Sequence, residues 1–156
     1  MVVNKLQTLL DEYSLSHQSA TNKLIHWICV PLIFFSVMGF LYGIKLPLYI
    51  YHGARLNVAI IVLALVILYY ISLSRTIWVG MLLFSLVCLF ACYEIRVNGL
   101  PLAIVCGVIF IVAWIGQFYG HHIEGKRPSF LKDLQFLLIG PAWLMSFVYK
   151  KLGIAY

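Results

Sequence analysis

The chain has 156 residues, of which 63% are hydrophobic and only 10% are charged, whereas soluble domains have about 45–50% apolar and about 25% charged residues. One core of this size cannot bury so much apolar surface, so lipid must cover the remainder and a water-soluble class is excluded. The formal net charge is +6, but the basic residues stand between apolar segments, which predicts contact with anionic lipid headgroups rather than with nucleic acid. We expect residues 1–156 to form a single integral membrane domain.

The N-terminal stretch from Val3 to Tyr13 has apolar residues along one stripe and charged residues elsewhere. This pattern predicts a short amphipathic helix that lies on the membrane instead of crossing it. Ser14 and Ser16 interrupt the pattern, and Ser19 or Thr21 can cap the helix that follows.

Four apolar segments come next, each close to the length of about 20 residues that a bilayer crossing needs. Trp27 is placed as an interfacial anchor of the first segment, and Pro31 near its start can be tolerated if neighbouring groups satisfy the freed carbonyl. Arg75 occupies the tight turn between the second and third segments, which therefore form an antiparallel hairpin. The four segments are Leu24–Ile44, Leu56–Leu73, Ile77–Ile95 and Leu100–Tyr119.

The last apolar run, Leu134–Val148, is shorter than a comfortable span and contains Gly140 and Pro141. It predicts a broken, re-entrant or interfacial helix, with a tilted fifth span as the alternative. The expected fold is an all-α polytopic membrane helical bundle. It has about four transmembrane helices, an N-terminal amphipathic helix and a C-terminal broken or re-entrant helix.

Basic residues are divided unequally between the two sides of such a bundle. With the N-terminus in the cytoplasm, four spans leave eight Lys and Arg residues inside and three outside. A fifth span would move Lys150 and Lys151 outside and change the ratio to six against five. The positive-inside rule therefore favours four spans. The three outer residues are Lys45, Arg55 and Arg96.

The histidines are distributed so that most of them return to one membrane face. His17 precedes the first span and His26 lies at its start, and His121 and His122 follow the fourth, whereas His52 falls on the opposite side. Neutral imidazoles at one depth are natural ligands for iron or zinc. A lone interfacial histidine is more often a snorkelling side chain, and we keep that interpretation for His52.

Two further features bear on a metal site. His121 and His122 diverge by about 100° on a helix, but both can reach one metal if the helix ends there, as Gly120 and Gly125 would favour. Ligating histidines need acceptors that orient them. Asn22 lies four residues before His26, and Glu124 lies three residues after His121 and could be a ligand or such an acceptor. The few histidines, without repeated HxxxH or HxxHH boxes, favour a mononuclear centre.

These motifs resemble a family. The pattern Tyr13-x3-His17-x4-Asn22-Lys23-x2-His26-Trp27, with Gln117-x2-Gly120-His121-x2-Glu124 later, is similar to that of the membrane 2-hydroxy fatty acid dioxygenases. The resemblance covers almost the whole chain. It implies an Fe(II) enzyme that uses O₂ to shorten a long-chain 2-hydroxy fatty acid by one carbon with release of CO₂.

The resemblance also implies roles for particular residues. His17, His26, His121 and His122 would bind the metal, with Glu124 as a fifth catalytic residue. Asn22 would contact the substrate together with Lys126 and Arg127, although these two basic residues equally suit membrane-surface anchoring. The expected location is a bacterial inner membrane or the endoplasmic reticulum, with the site facing the cytoplasm. A non-enzymatic membrane scaffold and a haem-binding membrane protein are the alternatives.

Overall fold

The computed structural model describes residues 5–49, 55–125 and 135–156, and within these ranges the secondary structure is helical except for one short sheet. The predicted helical class is therefore confirmed. The elements are α1 (Lys5–Ser14), α2 (Ala20–Gly43), β1 (Lys45–Tyr49), β2 (Arg55–Asn57), α3 (Val58–Leu73), α4 (Ile77–Val97), α5 (Leu102–Glu124) and α6 (Gln135–Leu152).

Three of these helices, α2, α4 and α5, are long and apolar enough to cross a membrane, which agrees with the membrane class predicted from composition. The apolar helix α3 is shorter, with 16 residues. It begins later than predicted because Asn57 acts as its N-cap, with the side chain accepting a hydrogen bond from the Ile60 amide at 3.2 Å.

The connection between α2 and α3 is an antiparallel two-stranded sheet that the hydrophobic pattern did not predict. Lys45 pairs with Asn57 and Tyr49 with Arg55. Strand β1 is mostly exposed. Such a strand therefore has no buried apolar face that would mark it in the sequence.

Helices α2 to α5 run alternately up and down. The start of α3 packs against the end of α2 through Ala59 and Met38, and Tyr70 near the end of α3 donates a hydrogen bond to the Leu138 carbonyl of α6 at 2.7 Å. Helix α5 begins beside the end of α4 and returns along α2. The start of α2 and the end of α5 therefore meet at one end of the bundle.

Helix α1 covers this end together with α6. Its apolar residues Leu6, Leu10 and Tyr13 are buried in one core with the apolar face of α6, and Trp143 Nε1 donates a hydrogen bond to Ser14 Oγ at 2.7 Å. The stripe of α1 therefore contacts protein, because α6 offers a complementary apolar surface. That α1 lies on the membrane surface without crossing it stays a prediction.

Helix α6 is continuous, with Pro141 inside it, so the predicted break is not found. Near its start, Gln135 Nε2 donates to Tyr69 Oη at 2.6 Å, and near its end Tyr149 Oη donates to the Thr76 carbonyl at 2.9 Å. Tyr69 lies in the last turns of α3, and Thr76 directly precedes α4. Both ends of α6 therefore contact the same end of the bundle.

Candidate metal centre

Three histidine rings from two distant parts of the sequence meet where α2 begins and α5 ends. The ring centroids of His17 and His26 are 4.2 Å apart, and that of His121 lies 4.9 Å from each. One ring nitrogen from each residue lies within 4.8 Å of the other two, and all three side chains are buried. Three imidazoles this close can share one metal ion.

Two of the rings are oriented by main-chain carbonyl groups. His17 Nδ1 lies 2.7 Å from the Tyr13 carbonyl oxygen, and His26 Nδ1 lies 2.9 Å from that of Asn22. A carbonyl oxygen only accepts hydrogen bonds, so each Nδ1 carries the proton and each Nε2 keeps its lone pair. This is the arrangement found in metal-binding histidines.

Buried nitrogen atoms at this site fit a bound metal. His26 Nε2 and His121 Nδ1 are buried, and within the described residues neither has a hydrogen-bond partner. A buried polar atom without a partner costs about 1–3 kcal/mol, and a coordinated cation would remove this cost. The donor set consists of imidazoles, which suit iron, zinc, copper and nickel.

A pocket with about 830 Å³ of atom-free space, partly open to the surroundings, adjoins the cluster. His17, His121 and Gln117 line it, and its other walls are mostly apolar. On α2 the lining runs from Val30 to Leu41, a rise of roughly 16 Å. The pocket therefore suits an elongated ligand with one polar end and an apolar tail.

Comparisons with known proteins identify the family of this chain. The model of the family described as "2-hydroxy-palmitic acid dioxygenase Mpo1-like" matches residues 3–152. The chain belongs to the Mpo1-like family. It is 33% identical over 150 residues to the 2-hydroxy-palmitic acid dioxygenase MPO1 of Saccharomyces cerevisiae. The aligned region covers 95% of this chain and 82% of the relative. No solved structure matches the chain significantly.

In this Mpo1-like chain, Glu124 links the two helices that carry the cluster. Its carboxylate accepts hydrogen bonds from the Gln18 amide and from Asn22 Nδ2, both at 2.5 Å. The main-chain carbonyl oxygen of Asn22 in turn accepts the hydrogen bond from His26 Nδ1. The acceptor that Asn22 offers to His26 is therefore its backbone and not its side chain. Glu124 is therefore connected to His26 through Asn22 and is not part of the group of three ring nitrogens.

The close approach of α2 and α5 depends on Gly120. A Cβ atom at this position would collide with Asn22 Oδ1 and would lie 3.4 Å from Ile25 Cδ1. Since Asn22 is fully buried and bonded to Glu124, it has little room to move. Gly120 is therefore required where the two histidine-bearing helices touch.

The structure does not bring every predicted residue to the cluster. His122 is exposed and lies outside the group of three rings. The helix continues to Glu124 before Gly125 ends it with φ 68°. His121 and His122 are therefore both helical and still point about 100° apart. Asn22 does not line the pocket. His52, Lys126 and Arg127 lie outside the described residues.

Two pocket residues were not predicted as site residues. Tyr13 stacks on His17 with ring centroids 4.2 Å apart, and burial raises the pKa of its hydroxyl well above the ordinary value, so it remains neutral. Gln117 is a buried amide four residues before His121. A polar side chain inside an apolar segment, on the same helical face as His121, is a pattern in the sequence that could have identified Gln117 as a site residue.

Proposed function

We propose that this chain is an iron(II)-dependent dioxygenase that converts a long-chain 2-hydroxy fatty acid into the fatty acid one carbon shorter. One 2-hydroxy acid and one O₂ give the shortened acid, CO₂ and water. The bond between C1 and C2 breaks, and the substrate supplies all the electrons that O₂ accepts. Neither 2-oxoglutarate nor an external reductant is needed.

The observation that carries the proposal is the position of three buried imidazoles beside an otherwise apolar pocket. His17, His26 and His121 can provide three ligands, which leaves coordination positions for substrate and O₂. The MPO1 relative is named for the same class of substrate. Bound iron(II) would supply the redox chemistry with O₂.

The protein's own groups orient the ligands and exclude water. The Tyr13 and Asn22 carbonyls hold the Nδ1 protons of His17 and His26, which keeps Nε2 of each ring available. Glu124 holds Asn22 in place. The apolar pocket walls favour the acyl tail and keep bulk water from the reacting carbon atoms.

We place the substrate with its carboxylate at the cluster end and its tail between the helices. Lys126 and Arg127 directly follow Gly125 at the end of α5, and we propose that they meet the carboxylate. Their positive charges match its negative charge. His122, exposed on the same turn, is assigned no ligand role here.

We also propose four spans with the metal site facing the cytoplasm, in a bacterial inner membrane or the endoplasmic reticulum. In support, α3 extends from the end of α2 to α6, and the two ends of α6 contact the last turns of α3 and the residue that precedes α4. The unequal distribution of basic residues agrees. Cysteines introduced at Lys5 and Lys126 of a cysteine-free variant should be labelled from the same side, and opposite sidedness would contradict the topology.

Turnover by the purified protein tests the reaction. In detergent with iron(II) and air, the protein should convert 2-hydroxyhexadecanoic acid into the acid one carbon shorter, and ¹⁸O₂ should label the product. Hexadecanoic acid should be inert because it lacks the second oxygen for chelation. A hydroxylated product from the plain acid would indicate a hydroxylase instead.

Metal analysis separates the proposal from its alternatives. We expect non-haem iron in the active protein. A haem spectrum would favour a haem protein, and absence of any metal together with absence of turnover would favour a scaffold. The His26→Ala variant should lose turnover, whereas His122→Ala should retain it.

A further inference from the structure

The amide of Gln117 is an unsatisfied polar group inside the pocket. The side chain is 4% exposed, and Nε2 is buried without a hydrogen-bond partner among the described residues. The residue lines the pocket together with His17 and His121. Burying such a donor in an apolar environment is unfavourable, so its retention there calls for an acceptor that arrives with a ligand.

The position of Gln117 along α5 defines which part of a ligand it can reach. Gln117 stands four positions before His121, so it lies on the same face and roughly 6 Å farther from the end of α5. A fatty acid with its carboxylate at the cluster end must pass this amide with the first carbon atoms of its tail. An oxygen on those carbons is then the available acceptor.

We propose that Gln117 determines specificity by donating a hydrogen bond from Nε2 to the hydroxyl oxygen on C2 of the substrate. The inference rests on the proposed function and extends it from metal chelation to a protein contact. A fatty acid without the hydroxyl would leave the amide buried against methylene groups. Sites built to bond a hydroxyl discriminate strongly against ligands that lack it.

A neutral amide suits this role better than a charged group would. A cation at this depth would attract the carboxylate of any fatty acid, hydroxylated or not. An amide has no net charge and therefore does not attract the carboxylate in this way. The basic residues Lys126 and Arg127, which follow the end of α5 in the sequence, are the ones proposed above to meet the carboxylate. Recognition of carboxylate and hydroxyl is thereby divided between different residues.

Equilibrium binding to the metal-free full-length protein tests the contact, because removal of iron eliminates selectivity due to chelation. The assay measures displacement of a fluorescent fatty acid by 2-hydroxyhexadecanoic acid and by hexadecanoic acid. The unsubstituted protein should prefer the hydroxylated acid by about tenfold. Gln117→Met, which keeps the side-chain length but removes the donor, should bind both acids within about twofold.

The matched control is Gln7→Met on α1, which makes the same exchange at a residue bonded to Asp11 and outside the pocket. It should keep the tenfold preference. If Gln117→Met does not fold, Gln117→Asn, whose amide is one methylene shorter, should also lose the preference. Retention of the preference in whichever of the two variants folds would overturn the inference.

The same data separate this inference from the proposed function. If the iron-loaded protein shortens the 2-hydroxy acid but the metal-free protein binds both acids equally, the role of Gln117 is refuted and the reaction stands. The opposite outcome has two parts: the metal-free protein prefers the hydroxylated acid and Gln117→Met abolishes this preference, but the iron-loaded protein shows no turnover. In that case hydroxyl recognition stands and the proposed reaction is refuted.

Discussion

Replacing Gly120 by alanine should separate the two helices that carry the metal site. The new Cβ would collide with Asn22 Oδ1, and Asn22 is held by Glu124. A displaced Asn22 also moves the carbonyl that orients His26. The substitution should therefore affect both folding and metal binding, although the residue itself binds nothing.

The expected magnitude follows from three opposing terms. Overpacking costs about 1–3 kcal/mol, and loss of the hydrogen bond between Asn22 and the Glu124 carboxylate costs about 1.5–3 kcal/mol. Alanine returns about 1 kcal/mol through its higher helix propensity. The free energy of unfolding should fall by about 1.5–5 kcal/mol, and metal affinity should fall by about 10–100-fold.

Gly107 provides the control on the same helix. A Cβ there meets nothing within 4 Å, so Gly107→Ala should gain up to about 1 kcal/mol from helix propensity. Unfolding in one detergent, followed by intrinsic fluorescence, and metal content by mass spectrometry measure both variants. Equal stability and equal metal content for Gly120→Ala and Gly107→Ala would refute the argument.

Three further substitutions test other parts of the structure. His26→Ala should lose bound metal and His122→Ala should keep it, and elemental analysis showing equal loss would restore His122 as a ligand. Glu124→Gln should weaken metal binding by about 10–100-fold in a titration, because the amide NH₂ group would face one of the two donors that the carboxylate oxygens accept from; an effect no larger than that of Glu12→Gln, at an exposed position of α1, would contradict this. Tyr149→Phe should lower the unfolding free energy by about 1–2 kcal/mol, because the hydroxyl bonds the Thr76 carbonyl and the Gly80 amide, and a change in metal affinity would show that its role extends to the site.

Much of the architecture could be predicted from the sequence because membrane insertion depends on local composition. The lengths of the apolar runs predicted the helix boundaries within five residues, and the number of runs between His26 and His121 predicted that these residues meet. Both inferences need only the order of segments along the chain. The continuous helix at Pro141 was not predictable in this way, because neighbouring helices decide whether a proline divides a helix.

The composition of the site depended on which helix faces touch. His121 and His122 are adjacent in sequence, yet only His121 faces the cluster, because α5 continues past both. The apolar stripe of α1 would suit lipid as well as protein, and only the presence of α6 decided between them. The sequence alone thus determined the membrane class, the helices and the convergence of the histidines. The tertiary structure decided which histidine rings meet, where the pocket lies and that Gln117 lines it, because these depend on contacts between residues far apart in the chain.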